Sequence, residues 1–153
     1  MNQSNDGVAI FQERVQVTHE EFPAAIGRLL GLTLITEERG RATIEFEASA
    51  RYANQLGTLH GGVLCDIADA AMGAAYSTTV AEGETFTSVD LKIYFLRPVW
   101  EAKLRARARV VRAGWAVGRV ECDILDEQER LVACASSTCM TLPGQRARDR
   151  EVT

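Results

Sequence analysis

The sequence lacks three features that would each point to a particular class of protein. No continuous run of about eighteen apolar residues is present, which is the length that a membrane-spanning helix needs. The N-terminus has no basic region followed by an apolar one, as a signal peptide would. Basic residues are not in excess, since 17 Lys and Arg stand against 21 Asp and Glu. We therefore expect a cytoplasmic protein that neither crosses a membrane nor binds nucleic acid, because phosphate binding needs clustered cations.

The four cysteines form no pair with the C-x-x-C spacing of a zinc site. All four lie in apolar segments, and thiols stay reduced in the cytosol. We expect them to be small core residues and predict neither a metal site nor a catalytic cysteine. They are Cys65, Cys122, Cys134 and Cys139.

The length and composition of the chain predict one domain. At 153 residues and 46% hydrophobic content, the chain can bury one ordinary core. Residues 1–17 are predicted to be a polar, partly disordered segment, 18–143 the single domain, and 144–153 a flexible tail.

The domain is predicted to begin with a short helix over 22–30. Thr18 or a neighbour is its expected cap, Pro23 is tolerated in the first turn, and Gly31 ends it. Strands are recognised by alternating apolar residues between turn signals. They are predicted at 32–38, 41–48, 85–95, 102–113, 116–125 and 131–142.

A long helix over 60–79 separates the first two strands from the last four. Its residues are small on every side, so neighbouring backbone could approach closely and the helix is expected to be enclosed. The last four strands have no helix between them, which indicates a meander and a largely antiparallel sheet. The predicted fold class is α+β, with a curved sheet wrapped around the central helix.

The most informative motif lies at the start of this helix. Asn54 and Gly57 precede His60-Gly61-Gly62, and Asp69 follows within the helix. The first N–H groups of a helix have no intrahelical partner, and the helix dipole is positive there. The glycines leave these donors uncrowded, so an oxygen that gains negative charge could be stabilised at this point.

This spaced motif and the order of elements resemble the hotdog-fold acyl-CoA thioesterases. The subgroup is that of the phenylacetate-degradation and para-hydroxybenzoyl-CoA thioesterases, and the resemblance covers about residues 32–142. It implies a hotdog fold and hydrolysis of an aryl- or medium-chain acyl-CoA to free acid and CoA. Apart from the coenzyme A of the substrate, no cofactor is expected.

The resemblance also implies roles for individual residues. The Gly61 N–H would polarise the thioester carbonyl, and Asp69 would be the nucleophile or the base toward water. Asn54 would help hold the water or the reacting group, His60 would lie beside the thioester, and Ser88 would assist water. Thr87 is the alternative to Ser88. The candidate substrate-binding residues are Gly62, Thr87, Arg97, Lys92 and Arg51.

Several of these residues also have a purely structural interpretation. His60 could simply cap the helix, and Asn54 could simply form a turn through its own backbone. Asp66 suits the first turns of a helix or a solvated surface. Asp69 favours a functional role, because a carboxylate inside an enclosed helix costs free energy unless it is paired or used.

A row of four cations occupies alternate positions of the strand at 102–113. Alternation places them all on one face of the sheet. This face is either a solvated outer surface or a patch for the phosphates of CoA, which Arg binds through paired hydrogen bonds. The row consists of Lys103, Arg105, Arg107 and Arg109.

Helix geometry predicts that the site is shared between chains. Asp69 follows His60 by nine positions, which corresponds to roughly 14 Å along a helix axis. One thioester carbon cannot contact both the start of the helix at His60 and Asp69 of the same chain. We therefore predict a homodimer with two equivalent shared sites. The resemblance adds a possible homotetramer, as a dimer of dimers.

Two other functions remain open at this point. A hotdog hydratase or dehydratase acting on enoyl-CoA is one alternative, although its acid and His have a different spacing. A non-catalytic acyl-CoA sensor or carrier is the other, although it would leave Asp69 unexplained.

Overall fold

The computed structural model describes residues 16–21 and 24–144 of the chain. The predicted N-terminal segment 1–17 lies outside these residues except for its last two positions, and the tail 144–153 does so except for Gly144. No helix within the described residues combines the length and the apolar character needed to cross a bilayer.

The described residues form one antiparallel sheet and two α-helices. The sheet has seven strands in the order β1-β2-β3-β5-β6-β7-β4. The strands are β1 (Gln16–Glu21), β2 (Thr33–Glu38), β3 (Arg41–Ala48), β4 (Thr85–Phe95), β5 (Ala102–Ala113), β6 (Val117–Leu125) and β7 (Leu131–Leu142). The helices are α1 (Ala25–Leu30) and α2 (Gly61–Ser77), with a 3-10 turn at Ala50–Tyr52.

The predicted α+β class is confirmed, and four strands have the predicted bounds. One strand, β1, was missed. The predicted meander is wrong at one point, because β4 pairs with β7 at the sheet edge and β5 pairs with β3. Helix α2 connects β3 to β4. This long connection lets β4 join the far edge of the sheet instead of pairing with β5, the next strand in the sequence.

Helix α1 is shorter than predicted. Its N-cap is Ala24, which makes no side-chain capping bond, and Thr18 lies in β1 instead. Residues 22–23, including the predicted first-turn Pro23, fall outside the described residues. Gly31 ends the helix as predicted, with a left-handed φ of 73° and its N–H donating to the Arg28 carbonyl.

The central helix α2 packs one face against the sheet and leaves the other open. The prediction that it is enclosed is therefore wrong for this chain, and Asp69 is exposed rather than buried. A sheet on one side of a helix can cover only part of its circumference, so the remaining face needs another partner or solvent. The buried face consists of Leu64, Ile67, Ala68, Ala71, Met72, Ala75 and Tyr76.

Close packing between α2 and β6 depends on Gly118. Tyr76 is 1% exposed, and its hydroxyl lies 2.9 Å from Thr141 Oγ1. A Cβ atom at Gly118 would lie 2.8 Å from that hydroxyl and 2.9 Å from the Arg112 carbonyl oxygen. Glycine at this position therefore lets the strand approach the ring.

We expect Gly118→Ala to lower the free energy of unfolding by about 1–3 kcal/mol, the usual cost of overpacking. Gly73→Ala is the matched control. Its added Cβ would meet only the Phe86 ring at 3.7 Å, and Ala is favoured over Gly in a helix by roughly 0.5–1 kcal/mol. Urea denaturation of both variants measures the two effects. Unchanged or increased stability of Gly118→Ala would contradict the packing argument.

Candidate functional site

His60 is the N-cap of α2. Its Nδ1 accepts a hydrogen bond from the Gly62 N–H at 2.9 Å. Two backbone bonds hold the residues before the helix: the His60 N–H donates to the Tyr52 carbonyl at 2.9 Å, and the Leu59 N–H donates to the Val99 carbonyl at 2.7 Å. His60 therefore caps the helix, as its structural interpretation predicts. The Gly62 N–H is engaged by this cap, and the predicted contact of Gly62 with substrate stays a prediction.

Gly61 stands at the first position of α2, where the backbone N–H has no intrahelical partner. The ring of Phe95 lies over it, and a Cβ at Gly61 would be 2.9 Å from that ring. A cleft of about 430 Å³ opens beside this glycine. We call it the glycine cleft. Its lining includes Asn54, Thr58, Gly61, Leu64, Phe95 and Arg97.

Asn54 holds the loop that precedes α2. Its Oδ1 accepts from the N–H groups of Leu56 at 2.9 Å and Thr58 at 3.3 Å, and its Nδ2 donates to Thr58 Oγ1 at 2.9 Å. Its backbone N–H also donates to the Thr58 carbonyl. The turn-forming interpretation of Asn54 is therefore correct, and the residue also lines the glycine cleft.

Asp69 lies two turns into α2 and is bonded to Ser88 of β4. Ser88 Oγ donates to Asp69 Oδ1 at 3.1 Å. Thr87, the alternative to Ser88, instead donates its hydroxyl to the Ser88 carbonyl at 3.3 Å. Of these two candidates, the structure brings only Ser88 to the carboxylate.

A β-bulge in β4 allows Ser88 to bond to Asp69 while Phe95 of the same strand lies over Gly61. Ser88 and Phe95 are seven positions apart, so an unbroken strand would place them on opposite faces. The register of β4 against β7 shifts between Ser88 and Asp90, which leaves Val89 as the extra residue. Both Ser88 and Phe95 consequently face α2.

Asp90 fixes the strand directly after the bulge. Its carboxylate accepts from the Thr138 N–H and from the Thr138 hydroxyl, both at 2.8 Å. The Ser137 hydroxyl, which is buried, donates to the Asp90 carbonyl at 2.8 Å. The Thr138 hydroxyl and then the Thr138 N–H lower the pKa of Asp90 from its ordinary value, because both donate to the charged form.

A second cavity lies on the open face of α2, with Asp69 and Ser88 at one end. Its volume is about 420 Å³. We call it the carboxylate cavity, and its lining includes Asp66, Asp69, Gly73, Phe86 and Ser88. Burial raises the pKa of Asp66, and the nearby Asp69 carboxylate raises it further. Adding another negative charge at this end of the cavity would therefore cost free energy.

The two cavities divide the predicted site residues into two groups. Asn54 and Gly61 line the glycine cleft, whereas Asp69 and Ser88 line the carboxylate cavity. The two linings share no residue. Eight positions of α2 separate Gly61 from Asp69, or roughly 12 Å along the axis. The predicted site residues of one chain therefore lie in two separate cavities.

Among the candidate cations for CoA, Arg97 is the one that lines the glycine cleft. Arg51 lies over the Tyr52 ring at 5.6 Å. Lys92 lies over the Tyr94 ring at 5.1 Å, on the sheet face that points away from α2, and its predicted contact with substrate stays a prediction.

The cation row of β5 also lies on the face that points away from α2. The predicted alternation is confirmed, because the residues between these cations are buried. Each cation pairs with a carboxylate on a solvated surface, which favours the structural interpretation of the row. The pairs are Lys103 and Arg105 with Glu45, Arg107 with Glu129, and Arg109 with Glu121.

Three of the four cysteines are poor nucleophiles. All four are free, Cys122 and Cys139 are buried, and Cys65 is half-buried. Burial raises the pKa of each of these three thiols. Within residues 24–144, no group of three or more His, Cys, Asp or Glu side chains is placed to hold a metal ion.

Comparison with known proteins identifies the family. The profile of the Thioesterase superfamily matches residues 56–133, a span that begins just before the His60-Gly61-Gly62 motif and includes Asp69 and Ser88. The chain belongs to the thioesterase superfamily. The resemblance drawn from the sequence motif is therefore confirmed at the level of the family.

Individual relatives are similar to this thioesterase-superfamily chain over most of their length. It is 29% identical to acyl-coenzyme A thioesterase PaaI of Escherichia coli, over 71% of this chain and 76% of the relative. It is 26% identical to the medium/long-chain acyl-CoA thioesterase YigI of Escherichia coli, over 74% and 83%. The solved structure of E. coli PaaI superposes with a TM-score of 0.74 at 27% identity, covering 80% of this chain and 87% of that one. These similarities confirm the hotdog fold.

Sequence reasoning missed two residues that shape the site. Phe95 appears in the sequence only as the last apolar residue of a strand, and Asp90 only as a charge within it. Their roles depend on the bulge at Val89, for which the sequence offers no clear signal.

We expect the stabilising effect of the Asp90 carboxylate to depend on pH. A carboxylate with a lowered folded-state pKa stabilises the fold above its unfolded pKa of about 3.9, and the effect is lost as pH falls through the folded value. Asp90→Asn should therefore be less stable than wild type at neutral pH, and the difference should shrink below about pH 4. Urea denaturation between pH 3 and 7 measures this. Thr138→Val removes the hydroxyl donor but keeps the N–H and should reduce the pH dependence, whereas Thr138→Ser keeps both donors and should retain it.

We expect His60→Ala to destabilise the fold by about 1 kcal/mol through loss of the helix cap. His60→Asn should recover most of that loss, because Asn is among the best N-cap residues. Thermal and urea unfolding of the two variants provide the measurement. Equal destabilisation by both substitutions would mean that capping is not what His60 contributes to stability.

Proposed function

We propose that the protein hydrolyses acyl-CoA thioesters to free acid and CoA. The observation that carries this proposal is the hydrogen bond from Ser88 to Asp69 at the mouth of the carboxylate cavity. It places an oriented carboxylate beside a space suited to an acyl group. Membership of the thioesterase superfamily supports the same reaction, as does similarity to an E. coli protein named acyl-coenzyme A thioesterase.

In this proposal Asp69 attacks the thioester carbon or activates the water that does so. Ser88 occupies Oδ1, which orients the carboxylate and leaves Oδ2 for the reaction. A carboxylate at neutral pH is already ionised and needs no separate base to become reactive. The CoA thiolate is a good leaving group, so a strong general acid is not required.

The start of α2 supplies the complementary electrostatic contribution. The carbonyl oxygen becomes negative during attack, and the free N–H of Gly61 at the positive end of the helix dipole would stabilise that charge. A neutral His60 that accepts at Nδ1 carries its proton on Nε2, which leaves Nε2–H as a second donor. Arg97 in the same cleft is the best-placed cation for a CoA phosphate.

We further propose that each complete site combines the glycine cleft of one chain with the carboxylate cavity of another. The two half sites lie in separate cavities on one helix, and the helix rise keeps them apart. A twofold homodimer would join each half site to its complement in the partner and form two equivalent sites.

We expect Asp69→Asn to lower kcat for thioester hydrolysis by at least about a hundredfold, since it removes the reacting carboxylate. Release of free thiol from a panel of acyl-CoAs is the assay. Asp123→Asn, on the sheet face that points away from α2, is the control and should keep full activity. Acyl-CoA binding without thiol release by the wild type would favour a sensor, and hydration of an enoyl-CoA would favour a hydratase.

We expect two inactive variants to restore activity when their chains are mixed. Asp69→Asn inactivates the carboxylate half site, and Gly61→Val fills the glycine cleft against Phe95. A mixed dimer contains one site with both halves intact, so random exchange should recover roughly a quarter of the wild-type activity. Each variant refolded alone serves as the control. No recovery in a population shown to contain mixed dimers would contradict a shared site.

A further inference from the structure

The carboxylate cavity extends along the open face of α2 away from Asp69. Its lining includes Ser77, which follows Asp69 by eight positions, or roughly 12 Å along the helix. The Gly40 N–H donates to Thr78 Oγ1 at 2.7 Å, which attaches the β2–β3 turn to this end of α2. Glu37 precedes Gly40 by three positions and also lines the cavity. The far end of the cavity is therefore polar, with Glu37 and Ser77.

Glu37 points toward the inner side of the sheet. Its partner in β3 is Ala42, which is 2% exposed in the core, whereas the next residue, Glu38, lies opposite Arg41 and forms an ion pair with it at 3.8 Å. Glu37 is half-buried. Within residues 24–144, no hydrogen bond or ion pair engages its carboxylate. A ligand bound in the cavity would displace water from this carboxylate, and a hydrogen bond donated by the ligand would offset that cost.

The middle of the cavity is apolar. Small residues of α2 form its floor, and Phe86 and Leu34 form its sides. An added Cβ at Gly73 would still be 3.7 Å from the Phe86 ring, so space remains above the helix. The floor residues are Ala70, Gly73 and Ala74. The cavity is thus polar at both ends and apolar between them.

We propose that this cavity selects acyl groups that are apolar along their length and carry a hydrogen-bond donor, such as a hydroxyl, at the far end. The inference rests on the proposed function, because it places the thioester at Asp69. Glu37 accepts the hydrogen bond from that terminal donor. Glu37 is thereby a specificity-determining residue for the acyl group.

The same geometry rejects acyl groups that end in a carboxylate. Glu37 lines the far end, Asp66 and Asp69 line the near end, and the lining residues that the structure describes include no Lys or Arg. A terminal carboxylate would face Glu37 in a partly desolvated space, and like charges repel strongly there. A terminal methyl group avoids this repulsion but leaves Glu37 without a partner.

The test uses CoA thioesters that differ only at the far end of the acyl chain. At the chain length that the protein hydrolyses fastest, the methyl, ω-hydroxy and ω-carboxy forms are compared by kcat/KM. We expect the hydroxy form to be the best substrate and the carboxy form to be at least about tenfold worse. Glu37→Gln should reduce the penalty on the carboxy form severalfold, and Glu37→Leu should make the methyl form the best substrate.

Glu38→Gln is the matched control, because it changes the neighbouring glutamate on the opposite face and should leave the three-way order unchanged. Binding of the corresponding non-hydrolysable thioethers, measured by calorimetry, repeats the comparison without catalysis. The same order of the three thioesters in wild type and Glu37→Leu would overturn the inference while leaving thioesterase activity intact. Ordered binding of the thioethers without hydrolysis of any thioester would instead overturn the proposed function and keep the selectivity.

Discussion

One extra residue in an edge strand is the constraint on which the candidate site depends. Val89 interrupts the pairing of β4 with β7, so residues before and after it can face the same side of the sheet. Ser88 reaches Asp69 from one side of this bulge, and Phe95 covers Gly61 from the other. The bonds of Asp90 to Thr138, and of Ser137 to the Asp90 backbone, hold the register where ordinary ladder bonds are interrupted.

The second determinant is a helix that the sheet covers on one side only. Large apolar residues of α2 fill the core on that side, and Gly118 lets β6 approach Tyr76 closely. The open side carries small residues and carboxylates, which line the carboxylate cavity. They would contribute little to a hydrophobic core, but they leave space and polar groups for a ligand. The same helix therefore provides stability on one face and chemistry on the other.

The length of α2 separates the two kinds of chemistry that an acyl transfer needs. The N–H of Gly61 in its first turn has no intrahelical partner, and the Asp69 carboxylate lies two turns farther along. A rigid helix cannot bring these groups together, so the proposed function requires a second chain. The position of Glu37 fits this division. It lines the carboxylate cavity, which would hold the acyl group, and it does not line the glycine cleft.

Apart from β1 and the short 3-10 turn, the sequence alone determined the element types, most strand bounds and the position of the motif at the start of α2. Those features depend on local patterns: alternation in strands, small residues in the helix, and glycines with an N-cap at its start. Only the tertiary structure decided that β4 joins β7, that Ser88 rather than Thr87 meets Asp69, and that Glu37 faces inward. These results depend on the register between segments far apart in the chain, where a shift of one residue moves a side chain to the opposite face.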